Sequence, residues 1–293
     1  MKKLLLAALL IALIVVAGGL WLIRTNTLAP DATASLDGDA DAGALIFAAG
    51  GCASCHGTEG GSEEERLVLA GGHAIDSDFG TFYTPNISPS EAGIGAWSLE
   101  EFANAMVRGV SPEGQHYYPA FPYVAYSRME LQDVADLWAY MQTLPESDTA
   151  SRPHDLPFPF NMRRGLGLWK LRYMPDGWVM TGEDSPERGR YLVEAVAHCG
   201  ECHTPRDELG GLITVDWLGG APNPSGEGSI PNITPGALDW SAEDIAYYLE
   251  SGFTPDFDTA GGSMVDVIHG TSQLPADDRQ AIADYVKAVP AVE

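Results

Sequence analysis

Basic side chains are scarce in this sequence: 16 Lys and Arg stand against 41 Asp and Glu, a formal net charge of −25 over 293 residues. No basic stripe exists to neutralise phosphates, which argues against nucleic-acid binding. The acid excess instead gives a soluble surface that can steer towards a basic partner, an effect weakened by salt. Cysteine is scarce too, with four in the chain. All four sit in close pairs, whose spacing makes poor disulfide staples. No convincing period-two alternation is present either, so the fold class is read as all-α. Apolar residues make up 45% of the chain, enough for a buried core. The 33 Gly and 20 Pro point to many loops joining short elements.

The N-terminus carries a long apolar run. Lys2 and Lys3 precede Leu4–Ile23, 20 residues closed by Arg24. A membrane-spanning helix needs about 20 residues. The apolar core of a secretory signal runs roughly 7–15. An uncleaved anchor over residues 1–24 is therefore favoured over a cleaved signal, whose weak A-x-A site, Ala32-Thr33-Ala34, lies well beyond the run. Trp21 stands where an interfacial aromatic belongs, and Lys2 and Lys3 stay cytoplasmic. Either reading sends the rest of the chain to the periplasmic side of a bacterial inner membrane. Residues 25–40 have the composition of a flexible tether.

An internal repeat organises the remainder of the chain. CASCH at 52–56 returns as CGECH at 199–203, and TPNISP at 84–89 returns as IPNITP at 230–235. Trp97–Glu101 matches Trp240–Asp244, Arg108–Pro112 matches Ser251–Pro255, and LWAYMQTLP at 137–145 matches IADYVKAVP at 282–290. The offsets stay between 143 and 147. Two copies of one domain, 41–145 and 185–293, are the economical reading. Each copy is expected to open with a helix, Ala42–Ala49 or Pro186–Ala197, in which Gly43 or Gly189 lets a second helix cross closely. A middle helix comes next, opened by Ser98 with Glu101 or by Ser241 with Asp244 at capping-box spacing. The last helix is Leu131–Leu144 or Asp277–Val289, with Pro145 or Pro290 just past its end. Between the copies, residues 146–184 are rich in Pro and aromatics. Phe158, Phe160, Met162, Trp169 and Trp178 make exposure costly there, so this linker is expected to clasp both domains.

Every cysteine falls in Cys-x-x-Cys-His. In that pattern two thiols form thioethers to the haem vinyl groups, and the adjacent His is the proximal iron ligand. One helical turn must present both sulfurs to one porphyrin edge while the imidazole reaches the metal. Zinc would use two Cys-x-x-Cys pairs set more closely, with no reason for His directly after both. A thioredoxin-like pair would need a βαβ context. The cofactor is therefore two covalently bound haem c groups, one on Cys52, Cys55 and His56, the other on Cys199, Cys202 and His203.

The sixth iron ligands differ between copies. Met264, in the Gly-rich loop DTAGGSM, is the candidate for the second haem, since a thioether raises the potential. The same offset in the first copy lands on Phe121, which cannot ligate. Met129 is the candidate there; His116, which would give a bis-His haem, and an open position stay as alternatives. Met106 is explained by the apolar stripe of its helix.

At CASCH, TPNISPSEAGIGAWSLEEF, YPAFPY and PNITP the chain resembles the cytochrome subunits of periplasmic alcohol and aldehyde dehydrogenases, over roughly residues 40–290. Those relatives commonly carry three haems and read YPAMPY, with Met as ligand. Two Cys-x-x-Cys-His motifs and Phe121 depart from that pattern. The resemblance implies an electron-transfer component, taking electrons from a dehydrogenase donor to a cytochrome or oxidase acceptor. The competing reading is a dihaem enzyme, a peroxidase or small-substrate dehydrogenase with haem 1 as an open site. It would need an acid–base group, for which His73, His154 and His269 are conceivable.

Overall fold

The structure is a computed structural model describing residues 1–182, 185–223 and 228–293. It is mostly helical. Helix α1 (Lys2–Leu22) buries none of its residues, and its length and apolarity suffice to cross a membrane. The first half continues with α2 (Ala40–Ala49), α3 (Cys52–His56), α4 (Glu63–Arg66), α5 (Leu99–Arg108), α6 (Tyr123–Tyr126) and α7 (Leu131–Met141). After α8 (Leu166–Tyr173) come α9 (Glu187–Tyr191), α10 (Gly200–His203), α11 (Ala242–Ser251), α12 (Met264–Thr271) and α13 (Ala276–Ala288). Two short antiparallel ladders correct a purely helical expectation: β1 (Ala74–Ser77) with β2 (Gly80–Tyr83), and β3 (Ala221–Pro222) with β4 (Ser229–Ile230). Strands of two to four residues are too short to show an alternating pattern in sequence.

Both capping boxes form. Ser98 accepts from the Glu101 amide and Ser241 from the Asp244 amide, while each acidic side chain reaches back to the cap. Both helices end on a left-handed glycine, Gly109 at φ 58° and Gly252 at φ 75°, where an L side chain would be strained. The first and last helices of each half cross at the anticipated glycines. A Cβ on Gly43 would lie 1.9 Å from the Asp136 carbonyl oxygen, and one on Gly189 2.0 Å from that of Ala281. The helix expected at Pro186–Ala197 is regular only to Tyr191; Leu192–Val196 forms a π turn, closed by Ala197 N–H donating to Leu192 O at 2.7 Å. Glu194, fully buried, sits in that turn.

One apolar cluster runs through both halves, with Leu69, Phe102, Val134 and Leu137 from the first and Leu192, Leu218, Ile282 and Tyr285 from the second. Polar bonds cross the same boundary. Arg66 pairs with Asp266 at 2.8 Å, Glu63 with His269 at 3.4 Å, and the Tyr191 hydroxyl donates to Asp133.

Two segments differ from expectation. Residues 25–40 do not hang free: Leu28 N–H donates to Asn104 Oδ1 at 2.8 Å, Gln132 Nε2 to Asp37 O at 2.7 Å, and Asp39 N–H to Asp136 Oδ1 at 2.8 Å. Small residues allow this docking, since the missing Cβ of Gly38 would lie 2.3 Å from Ala135 O. The linker does bridge the halves. Lys170 donates to Arg108 O and Gly109 O at 2.7 Å, while Trp169 Nε1 donates to Leu209 O at 2.9 Å. Yet Phe158, Phe160 and Met162, whose exposure was expected to be too costly, are exposed. Linker residues 183 and 184 lie outside the described residues.

Candidate haem-attachment sites

The two Cys-x-x-Cys-His turns have the same local construction. The chain enters the first through Gly51 at φ 60° and the second through His198 at φ 42°. Glycine takes that left-handed conformation freely, whereas a histidine there needs support. His198 finds it across the boundary between halves: its Nε2 lies 3.1 Å from Gly50 O, and its ring packs edge-on against Tyr126 at 5.5 Å. Cys52 and Cys199 are half-buried, Cys55 and Cys202 exposed. Gly200 in the second turn is required by Trp217, whose ring would lie 2.1 Å from an added Cβ.

The imidazoles are oriented alike. His56 Nδ1 lies 2.8 Å from Pro85 O, and His203 Nδ1 lies 2.9 Å from Pro231 O. With the carbonyl as acceptor, Nδ1 carries the proton and Nε2 keeps its lone pair for a metal. These prolines belong to the repeated Pro-Asn-Ile-Ser/Thr-Pro segments, which explains a recurrence whose purpose the sequence left unassigned. The following asparagines pin the same loops. Asn86 Nδ2 donates to Ser147 O and Thr149 O, and its Oδ1 accepts from Ser88 N–H. Asn232 repeats this with Val292 O and Thr234 N–H.

Burial pushes the half-buried Cys52 and Cys199 thiols up to about 12. Among the described residues no three His, Cys, Asp or Glu side chains gather into a metal cage. Burial lowers the pKa of His56 and His203, against the opposing pull of the proline carbonyls, and so favours the neutral, ligand-ready imidazole. Paired thiols beside one imidazole with a free Nε2 fit haem c in both halves.

The remaining sequence candidates fall in different places. Met264 opens α12, half-buried against the core cluster. Phe121, its counterpart in the repeat, stacks edge-on against Tyr117 and Tyr126, each at 5.7 Å. Met129 is buried just ahead of α7; the repeat sets Leu274 opposite it, also buried, ahead of α13. His116 Nε2 lies 2.9 Å from Ile23 O, so this ring is engaged at the end of α1. Met106 is buried on the apolar face of α5. His154 Nδ1 accepts from Tyr83 N–H at 3.1 Å, His269 pairs with Glu63, and His73 lies 3.7 Å from Glu59.

Residues 40–145 match the cytochrome c family. Over its full length, and the full length of the relative, the chain is 56% identical to a dihaem c-type cytochrome of Cereibacter sphaeroides. It is 40% identical to the fructose dehydrogenase cytochrome subunit of Gluconobacter japonicus, over 85% of this chain and 52% of that one. It is 36% identical to the cytochrome c subunit of a quinone-dependent alcohol dehydrogenase of Gluconacetobacter polyoxogenes, over 90% of this chain and 58% of that one. The chain thus spans about half the length of these dehydrogenase subunits. With paired thiols, an oriented imidazole in each half and relatives of this kind, the chain belongs to the c-type cytochromes, homologous to dihaem cytochrome c and to the cytochrome c subunits of quinone-dependent dehydrogenases.

Proposed function

We propose that the chain is a dihaem electron carrier, anchored by α1 at the periplasmic face of a bacterial inner membrane, that passes single electrons from a dehydrogenase to a respiratory acceptor. Residues 41–145 and 185–293 are then two tandem cytochrome c-like domains. Haem c supplies a one-electron iron centre. Cys52, Cys55 and His56 hold one such group, Cys199, Cys202 and His203 the other, with Met129 and Met264 as candidate sixth ligands. The carrying observation is that the two attachment turns meet at the boundary between halves. His198, which precedes Cys199, has its Nε2 3.1 Å from the carbonyl oxygen of Gly50, two residues before Cys52. Tyr126 of the first half packs edge-on against the same histidine, ring centroids 5.5 Å apart. The residues that would hold the two groups thus lie side by side across the boundary, as passage of an electron within one chain requires. The dehydrogenase donor is supported by what the relatives are.

A second reading, an enzyme with an open first haem, is favoured by one observation: the repeat sets Phe121 opposite Met264 and Leu274 opposite Met129. One preparation distinguishes them. The purified chain should carry two haems, exchange electrons between them in a concentration-independent first-order step after flash reduction, and bind no CO when ferrous. One haem per chain, or transfer whose rate scales with protein concentration, refutes the carrier. CO binding at one haem hands the function to the enzyme.

A further inference from the structure

Between the halves the chain exposes side chains that elsewhere it buries. Phe158 is 76% exposed, Met162 54%, Leu168 60% and Leu171 61%. Over residues 157–174 there is no Asp or Glu, in a chain with 41 of them; the same 18 residues hold Arg163, Arg164, Lys170 and Arg172. Two of these cations are engaged inward, Lys170 on the Arg108 and Gly109 carbonyls and Arg163 on His116 O; Arg164 and Arg172 lie on the outside, Arg172 67% exposed and 3.8 Å from Asp207 Oδ2.

This surface starts where α1 ends. An added Cβ on Gly167 would lie 2.5 Å from Ile23 O and 2.6 Å from its Cα, so α8 touches the residue that closes the apolar helix. His116 holds the same carbonyl, and Leu28 is tied to Asn104. At about 100° per residue, Leu171 lies roughly 40° and Leu168 roughly 100° around α8 from Gly167. Both leucines therefore lie on one side of the line of contact with α1. Trp21, with the Arg24 guanidinium 4.7 Å from its ring, marks the same level as interfacial.

We propose that this surface docks on the outer leaflet of the membrane that α1 crosses, with Phe158, Phe160, Met162, Leu168 and Leu171 in the boundary between headgroups and acyl chains, and Arg164 and Arg172 on anionic phospholipid headgroups. The proposal rests on the reading of α1 as an anchor. Continuity with α1 and charge select the occupant. An anionic bilayer repels a chain of net charge −25, and the segment beside the anchor carries four cations and no acid of its own, the neighbouring carboxylate of Asp207 being taken up by Tyr173 and Arg172. Docking there gives both haem sites a set orientation over the membrane instead of a swinging one.

The test uses the full-length holoprotein in nanodiscs of phosphatidylglycerol and phosphatidylcholine, with no partner protein. The native thiols being held in thioethers, Leu10→Cys, Leu168→Cys, Leu171→Cys and Phe257→Cys each take one nitroxide. Collision with oxygen against a water-soluble nickel chelate then reports depth. The expected result is that labels at 10, 168 and 171 favour oxygen, and the label at 257, on a 90% exposed loop residue, favours nickel. Labels at 168 and 171 that behave like 257 while 10 stays in hydrocarbon overturn the docking surface and leave the anchor standing. A label at 10 that favours nickel overturns the anchor and the docking together. The wild-type chain supplies a check free of substitutions: a photoreactive phosphatidylglycerol should label the 157–174 peptide and spare 253–259. Protection of 157–174 only after a dehydrogenase is added would make this a protein-binding face and defeat the proposal.

Discussion

Glu194→Ala is expected to destabilise the folded protein by about 3–5 kcal/mol, the usual cost of removing one partner of a buried ion pair. Glu194 has no exposed side-chain surface, and the Arg128 Nε lies 3.8 Å from its Oε2 with the Arg128 side chain 10% exposed. Oε2 accepts from Val179 N–H at 2.6 Å; Oε1 accepts from Met180 N–H at 2.9 Å and from the Tyr285 hydroxyl at 2.6 Å. Truncation leaves two amides and a hydroxyl without an acceptor and the Arg128 charge uncompensated. Three charge-assisted bonds at about 1.5–3 kcal/mol each sum to more than the stated range. The sum overshoots because a cavity of about 500 Å³, lined by Glu194, Arg128 and Trp217 among others, lets water reach the orphaned groups. At roughly 2–4 °C per kcal/mol for a chain of this size, Tm should fall by about 6–20 °C in melts of the ferric holoprotein followed by circular dichroism. Arg128→Met added to Glu194→Ala should recover part of the loss, since the stranded charge goes with it. A Tm for Glu194→Ala within about 2 °C of wild type would refute the reasoning that this carboxylate joins linker, α13 and the first half.

Met264→Ala should lower the potential of the second haem without releasing it, because the thioethers hold the haem while the Met sulfur favours ferrous iron; each tenfold loss of that preference is about 59 mV in a redox titration, and unchanged potentials would discard Met264 as a ligand. Met129→Ala should halve the long-wavelength Met-to-iron charge-transfer band of the ferric protein and admit CO at one haem per chain, whereas an unchanged band places the ligand elsewhere. Burial holds His116, His154 and His198 below the ordinary 6.5 in the folded state, so the stability they contribute is fully present above pH 6.5 and is lost as pH falls through their depressed values. His154→Asn, which keeps an acceptor for Tyr83 N–H, should therefore flatten the fall of Tm between pH 7 and 5; a slope identical to wild type would show that His154 takes up its proton alike in the folded and unfolded states.

Local chemistry of a few residues was enough to predict much of this protein. Cys-x-x-Cys-His needs one helical turn, and both turns form; Ser98 with Glu101 and Ser241 with Asp244 cap their helices from within four residues. Gly43 and Gly189 announced close crossings because a missing side chain is itself a sequence signal. The repeat also marked Pro-Asn-Ile-Ser/Thr-Pro as important, but its task, a proline carbonyl on each histidine Nδ1, depends on a loop folding back over 28 or 29 residues. Composition misled for residues 25–40, where polar and small residues suggested freedom and long-range bonds to Asn104, Gln132 and Asp136 pin the chain instead.

What the sequence by itself determined is the pair of Cys-x-x-Cys-His turns, the recurring landmarks and the apolar helix, each set by residues near one another in the chain. Only the tertiary structure decided how the copies meet: His198 on Gly50, Tyr126 on His198, Glu194 beneath the linker, and α8 against the end of α1. Those contacts join residues from about 15 to about 150 positions apart, and what selects them is mutual burial and hydrogen-bond satisfaction in the folded chain, which no local pattern encodes.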